Sequence, residues 1–215
     1  MLSEEKEDYL KAILAHDGVK TYVSNKTLSQ FLNIKPPSVS EMLGRLEKGG
    51  YVEIIPYKGV KLSPLGLRFT LDVIKRHRLI ELFLIEVLGY TWEEVHAEAE
   101  VLEHRVSPLF VDRLDALLNY PETCPHGGVI PRDESFEEYY RTSLLEYDER
   151  DTVVIRRVRD KTDLLVYLSS KGMSIGDTVT IKCKDETNQL LEMQTNEEAV
   201  ILSYSNAMVI FGERA

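Results

Sequence analysis

Cysteine is scarce in this sequence, since only Cys124 and Cys183 occur among its 215 residues. Two distant cysteines predict no disulfide framework and favour a reducing compartment. Long apolar runs are missing as well: none reaches the roughly eighteen residues of a membrane span, and the first residues, MLSEEKEDY, are too acidic for a signal peptide. We therefore expect a soluble, cytoplasmic protein with no membrane partner.

The motifs of common enzyme classes are absent too. The sequence contains no HExxH, no glycine-rich phosphate loop and no evident nucleophile. With 43% hydrophobic residues, the chain has enough apolar side chains for two or three small cores. We predict a protein that is not an enzyme and that divides into small domains.

Negative charge dominates the whole chain but not its first part. The net charge is -10, yet residues 1–63 carry nine Lys or Arg against eight Asp or Glu. Within residues 24–61 the count is six basic to three acidic, whereas the chain after residue 63 has 17 against 28. A positively charged segment can bind a polyanion even when the whole protein is acidic. The acidic remainder of the chain is typical of a cation-binding half.

Three short helices are predicted in the first part of the chain. The first follows Ser3, and the second follows Ser24. A turn at residues 33–35 separates the second from a third helix over residues 36–47, whose first turn tolerates two prolines. The second helix is expected to bury Leu28, Phe31 and Leu32. Two short helices joined by a tight turn are the signature of a helix-turn-helix, whose second helix enters a major groove of DNA.

A wing is predicted next, because residues 51–57 and 59–62 have strand character around a Lys58-Gly59 tip. The candidate DNA contacts lie around the helix-turn-helix and on this wing: Lys26, Lys35, Pro37, Ser38, Ser40, Glu41, Arg45, Lys48, Lys58 and Lys61. Arg45, Lys48 and the wing lysines are placed to meet phosphates, and the serines lie near base edges. Glu41 would accept from a cytosine amino group or act against wrong sequences.

A long helix over residues 64–88 is predicted to carry more apolar surface than one face of a monomer needs. Beside a DNA reader, such a helix indicates a homodimer interface, and a two-fold reader implies a palindromic operator in double-stranded DNA. Two more helices follow, one capped by Thr91 with Glu94 and one starting at Ser107-Pro108. The last is expected to bury Leu109, Phe110, Leu114, Leu117 and Leu118.

Oxygen and imidazole donors are concentrated at the end of the long helix and on the helix after it. His77 and Glu81 are four residues apart, and Glu100, Glu103 and His104 share one helix face. Carboxylates and imidazoles at this spacing are suited to a cation.

Three weaker metal candidates lie elsewhere. Cys124 and His126 form a Cys-x-His pair in the irregular segment 119–131, and Asp8 lies off the apolar stripe of the first helix. Taken alone, the pair fits either metal ligands or ordinary loop residues, and Asp8 fits a solvated helix acid.

The residue composition changes after residue 148, where short segments rich in Val, Ile and Leu predict a small β-barrel. The predicted strands are residues 152–158, 177–183, 190–193, 199–203 and 207–211, with one helix over 163–170. The predicted fold is mainly α with a β C-terminal domain. Its predicted parts are a winged helix-turn-helix domain (1–63), a helical metal-binding and dimerisation domain (64–148) and the barrel (149–215).

With these residues in place, the chain resembles the metal-dependent repressors of the diphtheria-toxin-repressor and manganese-transport-regulator family, most closely their streptococcal manganese-responsive members. The motifs that carry the resemblance are EDYL, PPSVSEMLGRLE, YKGVKLSPLG, RHRLIELFL, VHAEAEVLEH and CPHGGVIP. They keep their order and spacing over residues 1–131. The C-terminal part is similar to the SH3-like, ferrous-transport-type domain of this family.

The resemblance implies a metal-activated, dimeric repressor of metal-uptake genes with two metal sites. The implied primary ligands are Asp8, Glu100, Glu103 and His104. The implied second set is His77, Glu81, Cys124, His126 and Asp160. His96 matches an ancillary ligand of iron-responsive relatives, a role that the Cys-x-His pair takes over here.

Manganese is the expected metal, because hard carboxylate ligands suit Mn(II). The iron-responsive branch carries a soft sulfur ligand at the positions of Asp8 and Glu100, where this chain has carboxylates. Lys11 stands where the manganese regulator with a paired-metal centre has a glutamate, so an identical binuclear site is not expected. Fe(II) remains an alternative, and Cys124 could admit Zn(II) at the second site.

Two other interpretations compete with a metal-activated repressor. One is a winged-helix regulator that answers to a small organic ligand, with structural acids. The other is a metal-dependent enzyme, which the missing catalytic motifs disfavour. Operator binding measured with Mn(II) and with a chelator separates the first from a metal-activated repressor.

Overall fold

The computed structural model describes residues 2–134, 136–195 and 198–215, and the chain forms two compact units. The first unit contains Met1–His77, Glu103–Arg105 and Pro131–Phe136. The second contains Arg78–Leu102, Val106–Ile130 and Glu137–Ala215. No helix in the described ranges is both long and apolar enough to cross a bilayer.

Three helices open the first unit: α1 (Glu4–Ala15), α2 (Asn25–Leu32) and α3 (Pro36–Lys48). Ser24 caps α2 by accepting a hydrogen bond from Thr27 N, and Asn33 ends it in the left-handed conformation. Ser3 precedes α1 as predicted, but its side chain makes no capping hydrogen bond. The helix-turn-helix predicted from residues 24–47 is therefore confirmed.

The wing is formed by β1 (Val52–Ile55) and β2 (Gly59–Leu62), which pair antiparallel. β2 has the predicted limits, whereas β1 is shorter than the predicted residues 51–57, because Tyr57 turns the chain with a φ of 67°. Gly59 has a φ of 123°, and a Cβ at this position would lie 2.3 Å from the carbonyl oxygen of Val23. Glycine therefore lets the wing approach the backbone just before α2.

The core of the first unit contains the apolar stripes of all three helices. The largest fully buried side chains there are Tyr9, Leu10, Ile13, Leu28 and Leu46. Phe31 was expected inward with Leu28, and this prediction is wrong: its side chain is 56% exposed and its ring edge meets His16, with the ring centroids 4.8 Å apart. Phe31 is the second-last residue of the short helix α2, and its side chain extends beyond the small core.

The second unit begins with helical segments: the end of α4 (Pro64–Glu86), α5 (Val95–Leu102) and α6 (Pro108–Leu117). α4 ends two residues before the predicted limit, and Gly89 follows in a left-handed conformation. Glu94 accepts from Thr91 N at 2.9 Å, but this bond lies in the turn before α5 rather than at its start.

The inward face predicted for α6 is partly wrong. Leu114 is buried as expected, whereas Leu109, Phe110 and Leu117 are 66%, 45% and 62% exposed. Val111 is buried with Leu114 instead. The apolar pattern of this helix therefore covers two faces, of which only one meets the core of the second unit.

A five-stranded antiparallel sheet completes the second unit, in the order β6-β5-β4-β3-β7. Its elements are β3 (Thr152–Val158), α7 (Thr162–Ser170), β4 (Thr178–Asp185), β5 (Leu190–Gln194), β6 (Ala199–Ser203), α8 (Tyr204–Ala207) and β7 (Ile210–Arg214). The last strand was predicted at residues 207–211, but the short helix α8 delays it. Ser203 accepts from Asn206 N and so caps that helix.

Candidate metal centres and nucleic-acid interface

Asp8, Glu103 and His104 meet within the first unit. Asp8 is supplied by α1, and Glu103 and His104 lie in the turn that follows α5. Nε2 of His104 lies 3.2 Å from Asp8 Oδ1 and 3.3 Å from Glu103 Oε1. Glu103 is fully buried and the His104 side chain is 4% exposed. One imidazole nitrogen therefore faces two carboxylates, of which Glu103 is buried and Asp8 is 40% exposed.

Glu103 has two cationic or imidazole partners besides His104. Nζ of Lys11 lies 2.7 Å from Oε1, and Nδ1 of His77 lies 2.5 Å from Oε2. Burial raises the pKa of the Glu103 carboxyl, but the His77 hydrogen bond and the Lys11 charge outweigh it, and the pKa is lowered. The carboxylate is thus kept ionised. The structure places His77 beside Glu103 in this unit.

Two residues of this cluster were missed at the sequence level, Glu7 and Arg76. Glu7 Oε2 lies 2.6 Å from His104 Nδ1, and Glu7 Oε1 accepts from Arg76 at 3.1 Å. Arg76 also donates to the carbonyl of Glu103 at 2.9 Å. A usable signal existed for Glu7, because it precedes Leu10 by three residues and so shares the buried face of α1.

Glu81, Cys124 and His126 meet within the second unit, where all three are buried. One ligand atom from each lies within 4.8 Å of the others. His126 Nδ1 is 3.3 Å from Glu81 Oε1 and 2.8 Å from Asp160 Oδ1. The resemblance implied five ligands for this site, and His77, one of them, belongs to the first unit. The other four meet in the second unit, from α4, the Cys-x-His loop and the segment after β3.

His96 and Glu100 lie on α5 in the same unit. His96 Nδ1 is 3.6 Å from Glu81 Oε1, and His96 Nε2 is 3.8 Å from Glu100 Oε1. His96 is thus near the second cluster.

Local backbone geometry explains the glycines after His126. Gly127 has a φ of 79°, and a Cβ there would lie 1.9 Å from the carbonyl oxygen of Arg156. A Cβ on Gly128 would lie 2.7 Å from the guanidinium carbon of Arg78. The loop can therefore approach β3 and α4 only because two residues lack side chains.

Arg78 and Glu138 hold the Cys-x-His loop through hydrogen bonds to Val129, a role that was not predicted from the sequence. Arg78 donates to the carbonyl of Val129 and to Glu138, the latter at 2.6 Å. Glu138 in turn accepts from Val129 N at 2.9 Å. The imidazole of His126 is oriented from its other side, since its Nε2 lies 3.0 Å from the Trp92 carbonyl oxygen.

The second cluster has perturbed ionisation. Burial raises the pKa of the Cys124 thiol, and the Glu81 charge adds to this effect. Burial lowers the pKa of His126, but Asp160, Cys124 and Glu81 outweigh it and the net shift is upward. Burial and Glu81 raise the pKa of Asp160, while His126 lowers it more. A proton therefore occupies the place that suits a cation.

Both clusters fit a divalent cation by their donor chemistry. The first offers carboxylate oxygens and an imidazole, and the second offers the same types with one thiol. Several acids held together in the interior repel one another unless a positive charge lies among them. Oxygen and nitrogen donors are typical of Mn(II) sites, and a thiol also accommodates Zn(II) or Fe(II).

The candidate DNA-binding residues lie on the surface of the first unit. Nine of the ten predicted contacts are exposed: Lys26, Lys35, Pro37, Ser38, Ser40, Glu41, Arg45, Lys48 and Lys58. Lys61 is half-buried, with its Nζ 5.8 Å from the Tyr22 ring centroid. Glu41 pairs with Arg45 at 2.6 Å, which reduces the repulsion that its carboxylate would exert on a phosphate.

A cleft of about 360 Å³ lies between α3 and the wing. Its lining includes Asn25, Ser40, Tyr57 and Lys58. Asn25 donates to Ser40 Oγ at 2.7 Å, and Tyr57 is fully exposed. Asn25 and Tyr57 are further candidates for DNA contact that the sequence did not single out.

Three family descriptions match consecutive parts of the chain. Residues 1–60 match the iron dependent repressor N-terminal DNA binding domain, and residues 63–132 match the iron dependent repressor metal binding and dimerisation domain. Residues 142–214 match the FeoA domain. The predicted fold class, including the β C-terminal domain, is confirmed.

Two curated relatives match the whole chain or its first part. The iron-dependent repressor IdeR of Mycobacterium leprae (strain TN) is 28% identical over 93% of both chains. The transcriptional regulator MntR of Lysinibacillus sphaericus (strain C3-41) is 30% identical over 58% of this chain and 89% of its own.

Solved structures agree with these relatives. ScaR with bound Zn²⁺ is 38% identical, with a TM-score of 0.89 over 98% of this chain and 99% of its own. The manganese regulator SloR is 36% identical, with a TM-score of 0.85 over 98% of both chains. The chain therefore belongs to the iron-dependent repressor family of metal-dependent transcriptional repressors.

Proposed function

We propose that the protein is a manganese-activated homodimer that reads a palindromic operator and represses metal-uptake genes in the cytoplasm. The observation that carries the proposal is the position of Asp8. This ligand candidate lies on the first helix of the DNA-reading domain, yet its carboxylate faces His104 from the turn after α5.

Two ligand sets are proposed. The first joins Asp8, Glu103 and His104 with Glu100, which precedes Glu103 by three residues along the chain. The second is Glu81, Cys124, His126 and Asp160, with His96 nearby. His77 is four residues before Glu81 on α4 and is proposed as a further ligand or as a partner of Glu103. The proposed domain limits are residues 1–63, 64–148 and 149–215.

Mn(II) is the proposed metal, since carboxylates supply most of the donors. SloR is described as a manganese regulator and one form of ScaR as manganese-activated, which supports this choice. IdeR is described as iron-dependent and ScaR has been solved with Zn²⁺, so Fe(II) and Zn(II) are the alternatives to be tested. Cys124 is the ligand that would favour them.

The chain's own acids provide the coupling. A bound divalent cation would supply positive charge between them. Without it, the carboxylates of Asp8 and Glu103 both face Nε2 of His104 with no divalent charge between them. The reader domain then samples other positions, because like-charged carboxylates repel. The free energy that the metal adds to operator binding equals the extent to which the metal stabilises the ordered state over the other positions.

An exposed apolar surface supports the homodimer. Residues of this surface lie after α4 and on α5 and α6, and each is at least 45% exposed: Val87, Leu88, Val101, Leu109, Phe110 and Leu117. Apolar side chains at this density on neighbouring elements are typical of a protein interface. Two copies would present two copies of α3, which match the two halves of a palindrome.

Asp8→Ala tests the proposal. The unsubstituted protein is expected to bind its operator at least about 10-fold more tightly with Mn(II) than with a chelator, and the variant is expected to lose this difference. Fluorescence anisotropy with Mn(II), Fe(II) or Zn(II) measures it. If neither metal nor chelator changes the operator affinity, a winged-helix regulator that responds to a small organic ligand is favoured instead. No enzymatic role is proposed, because ligation accounts for the acids.

A further inference from the structure

Glu7 occupies an unusual position for a helix acid. It lies in the first half of α1, one residue before Asp8, and only 2% of its surface is exposed. Both of its carboxylate oxygens have partners, Oε1 with Arg76 at 3.1 Å and Oε2 with His104 Nδ1 at 2.6 Å. A buried carboxylate is costly unless it is paired in this way.

Arg76 is also buried and has several partners. Its side chain is 7% exposed, and its three nitrogens have separate partners. One donates to Glu7, one to the carbonyl of Glu103, and Nε lies 3.4 Å from an oxygen of Asp72. The guanidinium is therefore fixed and holds both Glu7 and the backbone of Glu103.

This arrangement determines which nitrogen of His104 carries a proton. A carboxylate only accepts hydrogen bonds, so Nδ1 must be the donor towards Glu7. The neutral ring carries one proton, and Nδ1 lies 2.6 Å from Glu7, whereas Nε2 lies 3.2 Å from Asp8 and 3.3 Å from Glu103. The shorter hydrogen bond keeps the proton on Nδ1, and the lone pair of Nε2 faces the other two carboxylates.

We propose that Glu7 and Arg76 are positioning residues, which hold the His104 imidazole in the Nδ1–H form with Nε2 presented to the metal. The proposal rests on the proposed function, because His104 serves there as a ligand. It adds that the α1 residue next to Asp8 already binds His104 without metal. The reader helix thus contacts the metal centre independently of the metal through Glu7 and Lys11, and through the metal at Asp8.

The variant Glu7→Gln probes the tautomer. An amide NH₂ facing the Arg76 guanidinium would bring donors together, so the amide turns its oxygen to Arg76 and its NH₂ to His104 Nδ1. Nδ1 must then accept, which moves the ring proton to Nε2, on the side of Asp8 and Glu103. Glu4→Gln is the matched control, since Glu4 lies on the same helix in an exposed pair with Arg105 at 3.0 Å.

The first readout needs no metal. ¹⁵N chemical shifts of His104 in the metal-free full chain, at a pH where the ring is neutral, are expected to report the Nδ1–H form. Glu7→Gln is expected to report the Nε2–H form, and Glu4→Gln the unsubstituted pattern. An Nε2–H ring in the unsubstituted protein overturns the proposal even if the variant does not fold.

The second readout is Mn(II) affinity in the absence of DNA. Asp8→Asn identifies the binding step of the first centre as the step that it abolishes. Glu7→Gln is expected to weaken that step by about 10- to 100-fold, and Glu4→Gln to leave it unchanged. An unchanged step in Glu7→Gln overturns the positioning role alone. If Asp8→Asn removes no step, the proposed function fails, while the tautomer measurement still decides on Glu7.

Discussion

At the scale of single residues, the proposed second metal centre holds protons on two of its candidate ligands. His126 has a raised pKa because Asp160, Cys124 and Glu81 surround it, and the thiol of Cys124 has a raised pKa because it is buried. Both are therefore protonated at neutral pH, and Mn(II) binding has to displace protons. Apparent Mn(II) affinity is expected to rise with pH and to fall as the solution becomes acidic. Calorimetry in buffers of different ionisation enthalpy measures the released protons, and Cys124→Ser is expected to release about one fewer. Binding that releases no protons would contradict this assignment.

Single residues also show what a sequence can and cannot reveal. Asp8 and Asp160 were expected as ligands only because the chain resembles a known family, and the structure places each beside a histidine. Glu7 and Arg76 look like ordinary charged residues in helices that carry many of them. Their role depends on the meeting of α1, α4 and the turn after α5, which no local pattern specifies.

At the scale of elements, the Cys-x-His loop depends on its two glycines. Gly127→Ala is expected to lower the free energy of unfolding by more than Gly172→Ala, although both positions have a positive φ. Gly172 has open space around it, so its variant bears only the left-handed strain of about 1–2 kcal/mol. The Gly127 variant adds a collision with the Arg156 carbonyl and should also displace His126. Denaturant unfolding and Mn(II) titration of both variants test this expectation, which equal losses would contradict.

The elements themselves were largely predictable, and the errors have physical causes. Capping residues and turns located α2, α3 and the wing, because Ser24, Asn33 and Gly59 have strong backbone preferences. The last strand was placed three residues too early because the apolar run 207–211 begins at the end of the capped turn α8, whereas β7 continues into the polar residues Glu213 and Arg214. The inward face of α6 was misjudged because an apolar interface and an apolar core follow the same helical period.

At the scale of the whole molecule, that second apolar face of α6 leads to a prediction about assembly. Leu109→Glu places a charge on the surface proposed for dimerisation, where Leu109 is 66% exposed in the single chain. Val166→Glu is the control, since Val166 on α7 is 50% exposed but lies in the β-rich part of the second unit. Sedimentation equilibrium is expected to show dimers for the unsubstituted chain and for Val166→Glu, and monomers for Leu109→Glu. Two linked DNA-binding domains bind a palindrome more tightly than one, so the loss of dimerisation should lower operator affinity. The decrease is about 30-fold if the lost contact contributes 2 kcal/mol. Mn(II) binding by the isolated chain should persist in Leu109→Glu, since none of the proposed ligands lies on α6. A monomeric Leu109→Glu that keeps full operator affinity would refute the two-fold reading mechanism.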